Sequence, residues 1–468
     1  MTSQSSQGDA SAASDKPRIA TSDDGVGFWH PSIRPLVKAY MIGLMRVTIM
    51  ISVLIWTLVA LYWASLYREV ESTPNIDAAI IDRDGGLIGS TITNQLLAIN
   101  ASPAPRLTWR SVSPSTYPTS ADVEKAVAID FDTWLIIEIA QGATARLEAA
   151  RAAGDASWNP NSVVTLTYAE ARNQVGFGLI MTIARSSLQP VLANINTQLA
   201  AQYLTSLGAN SAAAITALSN APSTIANPVA MTTNNIRPYS QPVATAATFV
   251  GLIYLCILAF NVVMAGFGMR AGMGLNRKLN LRSLILARIL LPAISYIFLS
   301  LMFSLLEIAF ELDFKAMGYT YGAGFMVWFC FTYTGMLLLG LMTEAFLSLV
   351  GAPFIGFCLI LIIIVNVAVS NLPIELQNEF FKYGYAMPFY NLKQSYLTIV
   401  FNVGKRSDLF KYAGILWVWI IVVIFTFPIW IWWERKREIK AASAPPRGPP
   451  PPSAQKPVTD EEAQKNEQ

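Results

Sequence analysis

Two aspartates, Asp82 and Asp84, are the first residues along the chain whose type and spacing could do chemistry. They lie in AAIIDRDGGLIGS at residues 78–90, and VAIDFDTW at residues 127–134 repeats the spacing. Carboxylates two residues apart on one loop could provide a nucleophile and a general acid, or bind a divalent cation. Either chemistry requires partner residues, which decide between a catalytic loop and a strand followed by a turn.

The surrounding sequence does not supply the partners of a phosphoryl-transfer site. An Asp-x-Asp loop after an apolar strand is similar to the nucleophile loop of haloacid-dehalogenase-type phosphatases, which would need a lysine for the phosphate charge and further acids for Mg²⁺. Between residues 68 and 243 the only lysine is Lys125, and the acids after Asp132 stand singly. The aspartates are therefore predicted to form a turn and a helix cap.

Residue types also argue against other catalytic and metal sites. A calcium loop that begins at Asp82 would need Glu at its twelfth position, where the chain has Thr93. The only histidine, His30, lies in the N-terminal segment, which argues against a zinc site or a Ser-His-Asp triad. The segment NVGKRS at residues 402–407 lacks the spacing of a Walker A loop. The sequence predicts no enzyme, no cofactor and no metal site.

The composition indicates that these residues belong to a membrane protein. Of 468 residues, 53% are hydrophobic and 13% are charged, whereas about 25% are charged in an ordinary soluble domain. Because a helix needs about 20 apolar residues to cross a bilayer, long uncharged runs mark the spans. The predicted fold is an α-helical bundle with six spans. They lie at residues 44–67, 244–269, 289–311, 320–342, 348–370 and 413–433.

Basic residues near the span ends predict the orientation of the bundle. The segment 270–288 carries five of them and no acid, and ERKRE follows the last span at residues 434–438. Both segments are expected in the cytoplasm, as are disordered tails at residues 1–43 and 434–468. The segment 371–412, with an amphipathic part, is then external. The five basic residues form a candidate coupling loop: Arg270, Arg277, Lys278, Arg282 and Arg288.

An extracellular α/β domain is predicted between the first two spans, at residues 68–243. Asp122 is expected to cap a short helix that ends near Ile129, and Asn100 begins an Asn-Ala-Ser sequon that could carry a glycan outside the cell. Apolar runs and helical patterns predict the other elements. The strands are expected at residues 78–81, 134–139 and 163–168, and the helices at residues 88–99, 143–154 and 174–207.

Three acids in or near the spans are candidate intramembrane sites, because a carboxylate inside a bilayer usually marks a function. Glu307 and Glu311 lie four residues apart, and they are expected to share one helix face near the outer end of the third span. Glu344 is expected at the turn between the fourth and fifth spans. These positions favour an interfacial location over a buried one.

The layout resembles a known family of membrane proteins. One span, a large α/β domain, and five further spans with a basic inner loop are similar to type-2 ABC-exporter permeases, and most of all to the fungal nitrosoguanidine-resistance membrane proteins. The segments that carry the resemblance begin with NIDAAIIDRDGGLIGSTITNQL, PVATAATFVGLIYLCILAF and YGYAMPFYNLKQSY, and a further one is AVAIDFDTWLIIEIAQGATARLEAA. They lie at residues 75–96, 242–260, 383–396 and 126–150.

The resemblance implies a plasma-membrane protein that exports or resists toxic compounds or moves lipids. It also implies that the segment 270–288 docks a separate ATPase. The expected partners are the lipid bilayer and either that ATPase or further copies of the chain, with no nucleic acid. The alternative is a membrane organiser or signalling regulator that transports nothing and alters drug resistance through lipid composition. The missing ATPase motif and the few intramembrane charges favour this alternative.

Overall fold

The computed structural model describes residues 26–208 and 211–443. Two compact units divide between Thr57 and Leu58. The first contains helix α1, Arg34–Leu54, which follows a 3-10 turn at Pro31–Ile33. The second begins with α2, Ala60–Leu66, and holds one sheet and the remaining helices. These are α3 Leu87–Ile99, α4 Ser120–Lys125, α5 Ala143–Ala153, α6 Gln174–Ser206, α7 Ser211–Asn220, α8 Ser223–Ala226, α9 Val243–Thr245, α10 Gly251–Gly272, α11 Leu275–Lys278, α12 Leu281–Ala309, α13 Tyr321–Val350, α14 Ile355–Val367, α15 Pro388–Phe401 and α16 Asp408–Ser443.

A five-stranded sheet forms the core of the α/β domain. Its strands are β1 Asp77–Asp82, β2 Thr108–Val112, β3 Leu135–Ile139, β4 Val164–Tyr168 and β5 Met231–Asn235. The spatial order is β2-β1-β3-β4-β5, and only the β3–β4 pair is antiparallel. Ile80 and Ile137 pack on one face with Ile180 of α6, while Ile81 packs on the other with Val127. Because both faces are covered, the central strands are continuous apolar runs.

The three strands predicted from apolar runs are confirmed as β1, β3 and β4. Neither β2 nor β5 was predicted, and these are the two edge strands of the sheet. β5 reads MTTNN, and none of its residues is fully buried. An edge strand with a solvated face needs few apolar side chains, so its hydrophobic pattern is weak.

The predicted helices of the domain are confirmed, with one correction to a cap. Thr119, and not Asp122, caps α4. The Thr119 hydroxyl accepts from the Asp122 amide, while the Asp122 carboxylate accepts from the Thr119 amide, which is a capping box. The longest helix, α6, is apolar enough by composition to cross a membrane. Its buried residues pack on the sheet, so α6 belongs to the domain core.

Six described helices are long and apolar enough to cross a membrane by length and composition. One is α6, and the other five correspond to the predicted first, second, third, fourth and sixth spans. The predicted fifth span, 348–370, is wrong in its bounds. Gly351, with a φ of 84°, ends the preceding helix, and α14 has only 13 residues. It rises about 20 Å, which is less than the ~30 Å of a hydrocarbon core.

Several other predicted boundaries need correction for one physical reason, which is that charged residues continue the helices. The predicted loop 270–288 contains α11 and the start of α12, and the predicted span 289–311 begins at Leu281 and ends at Ala309. The predicted span 320–342 extends to Val350. As described below, ion pairs compensate Arg288 and Glu344 inside the bundle, so these two charges do not end α12 and α13.

The predicted external loop at 371–412 is a folded part of the bundle. Its main element, α15, is buried at 12 of its 14 residues, so it is not amphipathic. Lys393 on α15 donates a hydrogen bond of 2.6 Å to the Ser370 carbonyl. The predicted disordered tails are also partly helical, because α1 begins at Arg34 and α16 continues to Ser443. The rest of these tails, at residues 1–25 and 444–468, lies outside the described residues.

Candidate functional site

The buried side of α12 is almost entirely polar. We name this set the polar face of α12, which comprises Arg288, Tyr296, Ser300, Ser304 and Glu307. Leu284 is the only other buried residue of this helix. The spacing of eight, four, four and three residues places all five on one side of a helix. The exposed side carries large apolar residues, among them Leu290, Ile294 and Phe298.

The polar face is long enough to cross most of a bilayer. At 1.5 Å per residue, the stretch from Arg288 to Glu307 rises about 28 Å, and a hydrocarbon core is about 30 Å thick. Polar residues in membrane helices usually face a bundle interior and mark pathways for ions or substrates. The polar face of α12, packed mainly against α13, is therefore the candidate functional site.

An ion-pair cluster occupies the end of the bundle where α12 begins, which we call the domain-distal end. The Arg288 guanidinium donates from Nε to Glu344 Oε1 and from Nη1 to Glu434 Oε2, both at 2.6 Å. Its Nη2 donates to Ser348 Oγ at 2.7 Å. Arg270 donates to the same Glu344 oxygen at 2.6 Å. We call Arg270, Arg288, Glu344, Glu434 and Ser348 the charge cluster.

The charge cluster joins four helices in a buried, neutral arrangement. Arg270 comes from α10, Arg288 from α12, Glu344 from α13 and Glu434 from α16. Arg288 and Glu344 are each 1% exposed, so both charges are removed from water and depend on each other. Removal of one partner from such a pair leaves an uncompensated buried charge. The cluster therefore fixes the packing of these helices at the domain-distal end.

The middle of the polar face is a close helix contact. Tyr296 donates from its hydroxyl to the Ala259 carbonyl of α10 at 3.3 Å. A Cβ at Gly340 of α13 would overlap the Tyr296 ring and hydroxyl, so only glycine allows this approach. Ser300 donates to the Tyr296 carbonyl, whereas the buried Ser304 hydroxyl has no hydrogen-bond partner among the described residues.

The opposite, domain-proximal end of the polar face holds an acid with no ion-pair partner. Glu307 is 6% exposed, and no described Lys or Arg lies within salt-bridge distance. Close by, Tyr396 of α15 stacks on Trp328 of α13 with ring centres 3.9 Å apart.

The residues predicted for the coupling loop and the intramembrane acids separate into three groups, one of which is Glu307 alone, buried without an ion-pair partner as described above. Arg270, Arg288 and Glu344 meet in the charge cluster, although Glu344 was expected at a turn. It lies six residues before the end of α13, where the helix continues because its charge is paired. The exposed residues are Arg277, Lys278, Arg282 and Glu311.

The prediction that Glu307 and Glu311 share one helix face is wrong. α12 ends at Ala309, and Glu311 has a left-handed φ of 59° outside the helix. Two features of the site were not predicted from the sequence. One is the role of Glu434, which belongs to the run ERKRE and was predicted to lie in a tail, and the other is the polar face of α12 as a whole. The spacing of Tyr296, Ser300 and Ser304 was the signal that could have identified it.

The aspartates of the segment 78–90 have the structural role predicted for them. Asp84 accepts hydrogen bonds from the Thr144 amide at 2.7 Å, the Thr144 hydroxyl at 2.6 Å and the Gly89 amide at 3.0 Å. Asp82 accepts from the amides of Asp84 and Gly85, and so closes the turn. The described residues contain no group of three or more side chains that could hold a metal ion.

The candidate glycosylation site has a structural role as well. The Asn100 amide nitrogen donates to the Trp109 carbonyl at 2.7 Å, and its oxygen accepts from the Trp109 amide at 2.9 Å. These two bonds continue the ladder of the edge strand β2. The nitrogen that would carry a glycan is therefore already used within the fold.

Together, the apolar helices and the inserted sheet define a multi-pass membrane protein with an α/β domain after its first span. The chain belongs to the family described as a protein of unknown function, DUF3533, whose model matches residues 47–425. It is also similar to an uncharacterised endoplasmic reticulum membrane protein of Saccharomyces cerevisiae. That protein is 24% identical over 412 residues, which cover 81% of this chain and 78% of the relative. No solved structure matches the chain.

Proposed function

We propose that this protein is the membrane component of a transport system that moves amphipathic compounds, either toxicants or lipids. The observation that carries the proposal is the polar face of α12. Lipid offers no hydrogen bonds, so buried polar side chains on a membrane helix serve either contacts between helices or a pathway for polar groups. A pathway for polar groups requires such a surface.

The arrangement of the spans supports a relation to type-2 ABC-exporter permeases. In such a relation a separate ATPase would dock at the domain-distal end. Three exposed basic residues lie there, Arg277, Lys278 and Arg282. A groove of about 540 Å³ beside them is lined by Asn276, Arg277 and Glu438, among others. Because the chain has no Walker A loop, energy from ATP would have to come from this partner.

The distribution of basic residues supports one orientation. Short segments rich in Lys and Arg favour the cytoplasm, so we place the domain-distal end and both termini there. The α/β domain then lies on the other side of the membrane. We expect a plasma-membrane location, as for resistance to nitrosoguanidine-type toxicants. The yeast relative is an endoplasmic reticulum membrane protein, and in that membrane the same orientation would place the domain in the lumen.

The proposal is tested with purified protein in liposomes that contain a labelled lipid or a fluorescent amphipathic toxicant. We expect movement of the label in the presence of a co-purifying ATPase and ATP, and loss of most of it when Ser300 and Ser304 are both replaced by alanine. Ser295→Ala is the matched control, since Ser295 lies on the exposed side of the same helix. The absence of movement under every condition would refute transport.

Helix packing offers a simpler explanation for the serines, because small polar residues let membrane helices approach closely. In that case the double alanine variant would transport as well as the Ser295→Ala control.

If cells without the protein kept normal toxicant efflux but changed their lipid asymmetry, the protein would be an organiser of the membrane. Affinity purification in mild detergent shows whether an ATPase with a Walker A loop accompanies the chain.

A further inference from the structure

We propose that Glu307 is a proton-binding site within the membrane bundle, and that a proton is one of the ligands of the transport proposed above. The first part stands on the geometry of Glu307 alone. The second part rests on the proposed function. Glu311 and Glu344, the other two acids predicted in or near the spans, have environments that differ from that of Glu307.

Glu307 alone combines burial with the absence of a compensating cation. Glu344 is 1% exposed but accepts hydrogen bonds from Arg270 and Arg288. Glu311 is exposed and lies beyond the helix end. Glu307 is 6% exposed as a residue, and its carboxylate forms no salt bridge with a described Lys or Arg. A carboxylate that is largely removed from water and has no cation beside it is unfavourable in its charged form, so it binds a proton more readily than an exposed one.

The position of Glu307 in its helix also favours the protonated form of its side chain. It lies in the last turn of α12, which ends at Ala309. The C-terminal end of a helix carries the negative end of the helix dipole, and this end disfavours a second negative charge. Burial and the dipole together favour the neutral carboxylic acid.

Unsatisfied polar groups in the same part of the bundle suit a group that changes between acid and carboxylate. The Ser304 hydroxyl lies one turn before Glu307 on the polar face and has no described partner. The Trp328 indole nitrogen, next to Tyr396, also has none. A protonated carboxyl can both donate and accept a hydrogen bond, whereas a carboxylate only accepts. The Ser304 hydroxyl oxygen could therefore accept a hydrogen bond that only the protonated form of Glu307 can donate.

Few charged groups on the helices that pack against α12 can compensate a negative charge on Glu307. α10, α13 and α16 pack against α12. The charged residues of α10 and α13, Arg270 and Glu344, belong to the charge cluster, as does Glu434 of α16. The remaining titratable groups on these helices, on α12, on α15 and on the segment after α12 are Tyr254, Cys256, Arg282, Tyr296, Glu311, Asp313, Lys315, Tyr319, Tyr321, Cys330, Tyr333, Tyr390, Lys393, Tyr396, Asp408, Lys411, Tyr412, Arg435, Lys436, Arg437, Glu438 and Lys440.

The test is an infrared titration of the full chain in lipid nanodiscs, for the unsubstituted protein, Glu307→Gln and Glu311→Gln. At about pH 7, exposed acids are ionised because their pKa values lie near 4. We expect a carbonyl-stretch band from a protonated carboxylic acid in the unsubstituted protein and in Glu311→Gln, and its loss in Glu307→Gln. An equal band in Glu307→Gln, or no band in the unsubstituted protein at this pH, would overturn the proposal.

A second measurement separates this site from the proposed transport. A hydrophobic carbodiimide adds to buried protonated carboxyls, and mass spectrometry locates the adduct. We expect it on Glu307 and not on Glu311 or Glu344, and an adduct only on the other acids would count against the site. In liposomes, a pH gradient should change label movement in the unsubstituted protein but not in Glu307→Gln. If the band and adduct are found while no label moves, the proton site stands and the transport function fails.

Discussion

Replacement of Glu344 by glutamine should destabilise the bundle more than neutralisation of any other acid in its membrane helices. Glu344 Oε1 accepts from both Arg270 and Arg288 at 2.6 Å, and Arg288 is 1% exposed. In Glu344→Gln the two guanidinium groups would remain in place with one carboxylate, Glu434, between them. The variant thus creates the uncompensated buried charge that the charge cluster avoids.

The expected magnitude follows from the burial of the pairs. Removal of one partner from a buried ion pair costs about 3–5 kcal/mol. The glutamine oxygen can still accept one hydrogen bond, worth about 1 kcal/mol, so we expect a loss near the lower limit. Glu434 has one arginine partner and is 14% exposed. Solvent screens its charge in part, and we expect Glu434→Gln to cost about 1–3 kcal/mol.

Thermal unfolding in detergent, followed by the reactivity of buried Cys256 toward a thiol dye, measures the effect. Glu311→Gln is the matched control, because Glu311 is exposed and should change stability by less than about 0.5 kcal/mol. If Glu344→Gln and Glu311→Gln unfolded at the same temperature, the charge cluster would not hold the helices together. A double variant, Arg288→Gln with Glu344→Gln, should lose less stability than the sum of the single variants.

Three further predictions concern the rest of the structure. Gly340→Ala should lose about 1–3 kcal/mol in the same assay, because its Cβ would overlap Tyr296, whereas Gly268→Ala, with open space around the Cβ, should not. Asp84→Asn should lower the free energy of unfolding of the α/β domain by about 1–2 kcal/mol through lost capping without changing transport, and a stable but inactive variant would restore a catalytic interpretation. Asn100 should carry no glycan, so treatment with an endoglycosidase should leave the electrophoretic mobility unchanged.

The parts of the fold that could be predicted are those whose signals are local. A buried central strand such as β1 needs a continuous apolar run, and a span needs about 20 apolar residues. The edge strand β5 needs neither and was missed. The short helix α14 was predicted too long because Gly351 lies inside an apolar run, where composition alone does not show the end of a helix.

The charge cluster could not be predicted for a different reason. Its partners are far apart in sequence, since Arg288 bonds to Glu344 and Glu434 across 56 and 146 residues. A charge in an apolar run indicates a span end if it stands alone, and a buried pair if a partner faces it. Only the packing of the helices distinguishes these cases. The sequence therefore predicted Glu344 at a turn, although its charge is compensated inside the bundle.

The two ends of α12 differ in how their charge is compensated, and this difference connects stability with chemistry. At the domain-distal end, Arg288 lies between two carboxylates, so the loss of either one leaves buried charge uncompensated. At the domain-proximal end, Glu307 has no cation, and a proton is the ligand that removes its charge at the lowest cost. The ion pairs hold the helices together at the domain-distal end, whereas protonation of Glu307 can change the charge at the domain-proximal end. We infer that the domain-proximal half of the polar face is where a ligand can change the bundle. Equal protection of both ends of α12 in amide hydrogen exchange at high and low pH would contradict this inference.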